Sequence, residues 1–197
     1  MRYLWLALFF GFLIWSGINP KDQFTWFLEV FPAIIGFVVM ALTYKKFPLT
    51  SMLYILILMH SIVLMIGGHY TYAEVPLFDS FKEWFGFERN NYDKVGHFMQ
   101  GFVPVMVARE ITIRKKVFKD RSWMNFFIIS FVLAFSAFYE LIEWAVAIMS
   151  GEEAEAFLGT QGYIWDTQSD MAWALFGSVV ALIFLSRVHD REIEKLK

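Results

Sequence analysis

Six stretches of 15 or more mainly apolar residues restrict the fold of this chain more than any other feature. A helix of roughly 20 apolar residues crosses a bilayer core, and in lipid every backbone polar group must be satisfied internally. The stretches do not alternate as strands of a β-barrel would. The sequence therefore predicts an all-α, polytopic membrane helix bundle that forms a single transmembrane domain over residues 1–197. The six predicted spans are 4–18, 26–44, 49–67, 93–108, 123–149 and 166–186.

The composition agrees with a surface that faces lipid. Hydrophobic residues make up 58% of the chain and charged residues 18%, against about 45–50% and about 25% in soluble domains. The chain has no cysteine, which excludes disulfides and thiolate metal sites. A signal peptide is the alternative interpretation of the first stretch, but no small-x-small cleavage site follows it, which favours a spanning helix.

The distribution of Lys and Arg predicts the orientation. Of the 17 basic residues, 13 lie at the N-terminus, in the second and fourth loops and in the C-terminal tail, so the positive-inside rule predicts that both termini are cytoplasmic. The basic fourth loop is interpreted as a topological anchor rather than a nucleic-acid module. Within 75–92, Phe78, Phe81, Trp84 and Phe85 recur at helical spacing, which predicts a short interfacial helix between the third and fourth spans.

The ionisable residues inside the spans are the candidate functional residues, because each costs about 2.5–3.5 kcal/mol to insert. They gather toward the predicted outer side, and three helices carry two of them about one turn apart, so each pair shares a helix face. Such pairs predict a common cavity, suited to a divalent ion such as Mg, Mn or Zn. Asp93 and His69 are predicted to act as acid or base. The predicted metal ligands are His97, Glu140, Glu143, Asp166 and Asp170.

Structural roles are the alternatives for several of these residues. Asp93 and Asp166 also suit helix N-caps, and His69 also suits a hydrogen bond to a nearby backbone. His60, alone within its span, is predicted to pack or to bond between helices, and His189 in the tail is predicted to be solvated. The small residues at positions 96, 101, 177 and 181 are predicted to mark close helix packing.

Four motifs resemble those of YjdF-type bacterial inner-membrane proteins. They are His-Tyr-Thr-Tyr-Ala-Glu-Val-Pro (69–76), Tyr-Asp-Lys-Val-Gly-His-Phe-Met-Gln-Gly (92–101), Tyr-Glu-Leu-Ile-Glu-Trp (139–144) and Gly-Thr-Gln-Gly-Tyr-Ile-Trp-Asp-Thr-Gln-Ser-Asp-Met (159–171). The resemblance covers nearly the whole chain. It implies a multi-pass protein of the bacterial inner (plasma) membrane, and it implies no particular chemistry.

A weaker resemblance is to VanZ-like membrane proteins, some of which are linked to glycopeptide antibiotic resistance. The Asp-Lys-x-x-His motif of that group is matched at 93–97. Its Glu-x-x-Gln motif is matched at Glu140, with Glu143 in place of Gln. Its Asp-x-x-x-Asn-x-x-Gly motif is matched at Asp170 and Gly177, with Ala174 in place of Asn.

Three classes of function agree with these residues. The first is metal-dependent chemistry on a lipid-linked or cell-envelope substrate, the second is proton- or cation-coupled transport, and the third is non-catalytic binding of a lipid or envelope component. No P-loop, nucleophile elbow or His-Glu-x-x-His motif is present, so whether the protein is an enzyme stays open. Membrane lipids and a lipid-linked small molecule are the predicted partners, and nucleic acid is not. The sequence does not determine the oligomeric state.

Overall fold

A computed structural model describes residues 2–150 and 164–196, and this part of the chain contains seven α-helices and no strand. Residues 159–163, which belong to one of the four motifs, lie outside the described residues. The helices are α1 (Arg2–Gly17), α2 (Gln23–Thr43), α3 (Ser51–His69), α4 (Pro76–Phe85), α5 (Tyr92–Arg114), α6 (Arg121–Ser150) and α7 (Asp166–Glu194).

The structure confirms the all-α membrane class. Four helices, α2, α3, α6 and α7, are long and apolar enough to cross a bilayer. Helix α1 is apolar but has only 16 residues, and α5 has 23 but is not among the four. Six spans and cytoplasmic termini therefore remain predictions. The short amphipathic helix is present as α4, which begins with Pro76 and is capped after Phe85 by Gly86, whose φ of 68° favours glycine.

Helix α5 lies at the centre of the described bundle, where it packs against α3, α6 and α7. Its buried residues include Lys94, Gln100, Arg109 and Glu110. A helix surrounded by protein needs no continuous apolar surface, because other side chains rather than lipid contact it. The central position of α5 explains how this helix accommodates these buried polar residues. The outer helices instead expose large apolar side chains such as Phe184, which is 71% exposed.

Helices α5 and α7 approach each other closely through small residues. A Cβ atom on Gly101 would collide with the backbone of Ala174, and one on Gly177 would collide with the backbone of Phe98. This agrees with the predicted role of positions 101 and 177, since small residues allow two helix backbones to approach. The close crossing fixes how the polar ends of α5 and α7 face each other.

A buried ionic cluster joins α3, α5 and α7 at the end of the bundle that carries the chain termini. The Glu110 carboxylate accepts hydrogen bonds from the Thr50 hydroxyl at 2.8 Å and from His189 Nε2 at 2.9 Å. Arg109 donates to Asp190 at 2.7 Å and lies 3.2 Å from His189 Nδ1. The prediction that His189 is solvated is wrong: its side chain is 0% exposed, because α7 continues beyond the predicted span and remains packed on α5.

Candidate functional site

The opposite end of the bundle gathers polar side chains from three helices. The first turns of α5 and α7 each present residues four apart on one face, and the late part of α6 faces both helices. His97, Glu140 and Asp170 each offer one ligand atom, and these three atoms lie within 4.8 Å of one another. The structure therefore brings together three of the five predicted metal ligands.

The orientation of His97 follows from its neighbours. Its Nδ1 atom lies 3.1 Å from Gln100 Oε1, and an amide oxygen only accepts hydrogen bonds, so Nδ1 carries the hydrogen. In the neutral ring the lone pair is then on Nε2, which lies 3.7 Å from Asp170 Oδ2. Histidines that bind metals commonly donate their other N–H to an acceptor in this way.

Glu140 completes this group with an unsatisfied oxygen. Its side chain is only 6% exposed, and Oε1 lies 3.8 Å from His97 Nδ1. Within the described residues Oε1 has no hydrogen-bond partner, although Thr167 hydrogen-bonds the same carboxylate. A buried carboxylate oxygen without a partner is costly. A cation or a proton at this point would remove that cost.

Beside this group, Lys94 acts as an internal cation. Its Nζ atom lies 2.6 Å from Asp166, 2.7 Å from Asp170 and 3.3 Å from Asp93. Arg89 adds a second positive charge, with Nη1 2.8 Å from Asp166 Oδ2 and Nη2 bonded to Asp93. Asp93, Asp166 and Asp170 also have metal-binding spacing, but two side-chain cations already contact them.

Arg89 remains positively charged at the edge of the site. It lies in the segment between α4 and α5, outside the helices. Burial lowers the pKa of Arg89, but its hydrogen bond with Asp166 and the negative charges of Asp93 and Asp170 outweigh burial and raise that pKa above its usual value. Its charge is therefore permanent at physiological pH.

Sequence reasoning missed Arg89 and Lys94 as site residues, because both were counted only as outward-side positive charges. Arg89 precedes Asp93 by four residues, but it lies before the start of α5, so helical spacing gave no signal for it. Asp93 and Asp166 are not N-caps. Asn91 and Trp165 hold those cap positions, without side-chain cap bonds.

Two predicted residues have other surroundings. His69 Nδ1 lies 2.9 Å from the backbone oxygen of Ser16, and its ring packs against Trp15 with centroids 4.7 Å apart. These contacts tie α3 to α1, as the structural alternative for His69 expects. Glu143 is absent from both metal-compatible groups found among the described residues.

A further carboxylate from another helix was not singled out by the sequence. Glu29 on α2 accepts a hydrogen bond of 3.3 Å from the Tyr139 hydroxyl, and Tyr139 directly precedes Glu140 on α6. Its position near the start of a predicted span gave no indication that it would contact α6.

Comparison with known proteins agrees with this membrane architecture. Residues 1–191 match the family described as "Predicted membrane protein (DUF2238)". The chain is 49% identical over 183 residues to a protein of Escherichia coli (strain K12) named "Inner membrane protein YjdF". The aligned region covers 93% of this chain and 88% of that relative.

These findings confirm the YjdF-type resemblance and a multi-pass protein of the bacterial inner membrane, whereas the VanZ-like resemblance is not supported by them. No solved structure matches the chain. The chain belongs to the DUF2238 family of predicted membrane proteins.

Proposed function

We propose that this inner-membrane protein binds one divalent metal ion at His97, Glu140 and Asp170, and uses it in chemistry on a lipid-linked or cell-envelope substrate. The single observation that carries the proposal is the buried Glu140 Oε1 atom. Within the described residues it has no hydrogen-bond partner, and it faces an imidazole and a second carboxylate. A metal ion would satisfy all three groups at once.

The donor set suits the smaller divalent ions. One imidazole nitrogen and two carboxylate oxygens agree with Zn or Mn, and a site richer in water would agree with Mg. Metal–ligand bonds of about 2.0–2.2 Å place neighbouring ligand atoms within about 4 Å of each other, and His97 Nε2 lies 3.7 Å from Asp170 Oδ2. Glu143 and Asp166 were also predicted as ligands, but the three-residue set is the better supported one.

A metal at this position would polarise a phosphoryl or carbonyl group or activate a water molecule. Asp170 would bind it through Oδ2, because Oδ1 contacts Lys94. Lys94 would thus act as a positioning residue for a ligand. Asp93 remains the predicted acid or base of the site, where it contacts Arg89 and Lys94.

A second candidate function is proton- or cation-coupled transport. The observation that favours it is the Tyr139–Glu29 hydrogen bond, which links a carboxylate on α2 to the helix that carries Glu140. Protonation would satisfy Glu140 as well as a metal would. The third class, non-catalytic binding, would use the same polar pocket without any chemistry.

The test is metal binding by the purified protein. Protein in detergent is equilibrated with Mg, Mn or Zn, and bound metal is measured by elemental analysis. We expect about one ion per chain, and we expect His97→Ala and Glu140→Gln to lose it. His69→Ala is the matched control for the first change and Glu143→Gln for the second, since both residues lie outside the three-ligand group.

Two results would contradict the proposal. One is protein that binds no stoichiometric metal at any of the three ions. The other is a content of bound metal that is as high in the two site variants as in the two control variants. Metal-free protein in which Glu140→Gln abolishes proton uptake would instead support the transport function.

A further inference from the structure

An open apolar groove of about 570 Å³ lies between α6 and α7. Its wall on α6 is formed mainly by small or aliphatic residues, among them Leu133, Ala134 and Ala137, and its wall on α7 includes Met171 and Leu175. The volume is within the range of roughly 300–1,000 Å³ that small-molecule sites occupy. The groove is not part of the polar site described above.

The groove leads to that site. Leu133, Ala137 and Glu140 follow the i, i+4, i+7 spacing and so share one face of α6. On the facing helix, Thr167 precedes Met171 by one turn and hydrogen-bonds the Glu140 carboxylate. The apolar residues of the groove on α6 therefore end next to the Glu140 carboxylate.

We propose that this groove holds the hydrocarbon chain of the substrate while its head group lies at His97, Glu140 and Asp170. This inference rests on the proposed metal function and assigns the substrate class, a lipid whose head group is a terminal phosphate monoester, as in phosphatidic acid, rather than the phosphodiester of phosphatidylcholine. Phosphate oxygens are hard ligands that commonly complete the coordination of a protein-bound divalent ion. An apolar groove that ends at a charged site suits a molecule with a charged head group and an apolar tail.

The depth of the groove agrees with this occupant. From Ser130 to Ala137, α6 rises by about 10 Å, and these residues lie within the apolar part of a spanning helix. The groove is therefore at the level of lipid tails, and Glu140 is about one turn closer to the helix end. A helix from a second copy of the chain would cover the same small residues, but it would leave the adjoining polar site without a ligand.

The experiment uses the full-length protein in phosphatidylcholine nanodiscs with a trace of phosphatidic acid that carries a diazirine in its tail. After illumination, mass spectrometry maps the labelled peptides. We expect labelling of 130–137 and 171–175, and we expect an equally diazirine-tailed phosphatidylcholine to label them much less. Ala137→Trp should lower labelling about tenfold, because the indole ring would occupy the space that the lipid tail needs.

The matched control is Phe138→Trp, because Phe138 is at the same depth, is 59% exposed and does not line the groove. It should leave labelling unchanged. If Ala137→Trp fails to fold, two other measurements test whether the tail occupies the groove. One is labelling of Ala137→Leu, and the other is labelling of the unaltered protein in the presence of unlabelled phosphatidic acid as a competitor. Competition should then remove the labelling.

Several outcomes overturn the inference. Equal labelling by both probes would identify the groove as ordinary lipid-facing surface, and so would labelling that Ala137→Trp does not lower. A dimer that Ala137→Trp converts to a monomer, without groove labelling, would assign the groove to a second copy. Metal content of the same samples separates the two proposals: metal-loaded protein without groove labelling refutes this inference alone, and metal-free protein refutes the proposed function.

Discussion

Replacing Lys94 with methionine tests how the charges of the site are balanced. Among the residues that the structure describes, two cations, Arg89 and Lys94, contact three carboxylates, Asp93, Asp166 and Asp170. Methionine keeps much of the length and apolar character of the lysine stem but removes its charge. One cation would then face three carboxylates in a largely buried setting, since the Lys94 side chain is only 11% exposed.

The expected loss of stability is large. Breaking a buried ion pair by removing one partner costs about 3–5 kcal/mol, because it leaves buried charge uncompensated. For a chain of this size each kcal/mol changes the melting temperature by about 2–4 °C. Without metal, Lys94→Met should therefore melt about 6–20 °C below the native protein.

A divalent ion should reverse much of this loss, because it supplies the missing charge beside Asp170. At a concentration of 100 times its Kd, a ligand stabilises the folded state by about 2.7 kcal/mol. Lys94 and the proposed metal both contact Asp170, so loss of Lys94 should also tighten metal binding. We expect the metal to raise the melting temperature of Lys94→Met by more than it raises that of the native protein.

The assay is thermal unfolding in detergent, followed by intrinsic tryptophan fluorescence, with and without Mn or Zn. Lys82→Met, a change of the same kind on the exposed side of α4, should have almost no effect. The reasoning would be refuted if Lys94→Met without metal were as stable as the native protein. It would equally be refuted if metal stabilised both proteins to the same extent.

Two other changes test the fold around the site. Gly101→Leu should greatly reduce the yield of folded, monodisperse protein in size-exclusion chromatography, because its side chain would collide with the Ala174 backbone; Gly11→Leu, with no atom within 4 Å of an added Cβ, should be tolerated. Glu110→Ala should lower the free energy of unfolding by about 3–5 kcal/mol, because it removes the carboxylate that contacts Thr50, His189 and Arg114. Metal binding at the other end of the bundle should persist in that variant, and its loss would contradict the separation of the two clusters.

Most of the helix boundaries could be predicted from the sequence, because long apolar stretches have few ways to satisfy their backbones in lipid. The predicted spans end early where helices continue outside the apolar stretch. Helix α5 reaches Arg114 and α7 reaches Glu194. Apolar side chains in these extensions, such as Ile113 and Ile193, are packed, and ion pairs of the buried cluster add contacts between polar side chains. Hydropathy carries no information on such contacts.

The site could be predicted only in part, for a related reason. Spacing indicates which residues share a face of one helix, such as Asp93 with His97 on α5 and Asp166 with Asp170 on α7. It does not indicate which residue of another helix lies opposite. The roles of Lys94 and Glu29 depend on contacts between helices. Lys94, which the sequence presents as an outward-side positive charge, pairs with Asp166 and Asp170 on α7. Glu29 contacts α6 through Tyr139.

The arrangement of α5 explains how a single helix supports both polar ends of the bundle. Its first turns carry the site and its last turns carry Glu110, and the Gly101–Ala174 contact between them holds α7 at close range. Because α7 supplies Asp170 to one end and His189 to the other, a shift of α7 along α5 would disturb both clusters together. Close glycine packing therefore determines the distance between His97 and Asp170 as directly as the identities of these residues do, and the proposed metal binding depends on that distance.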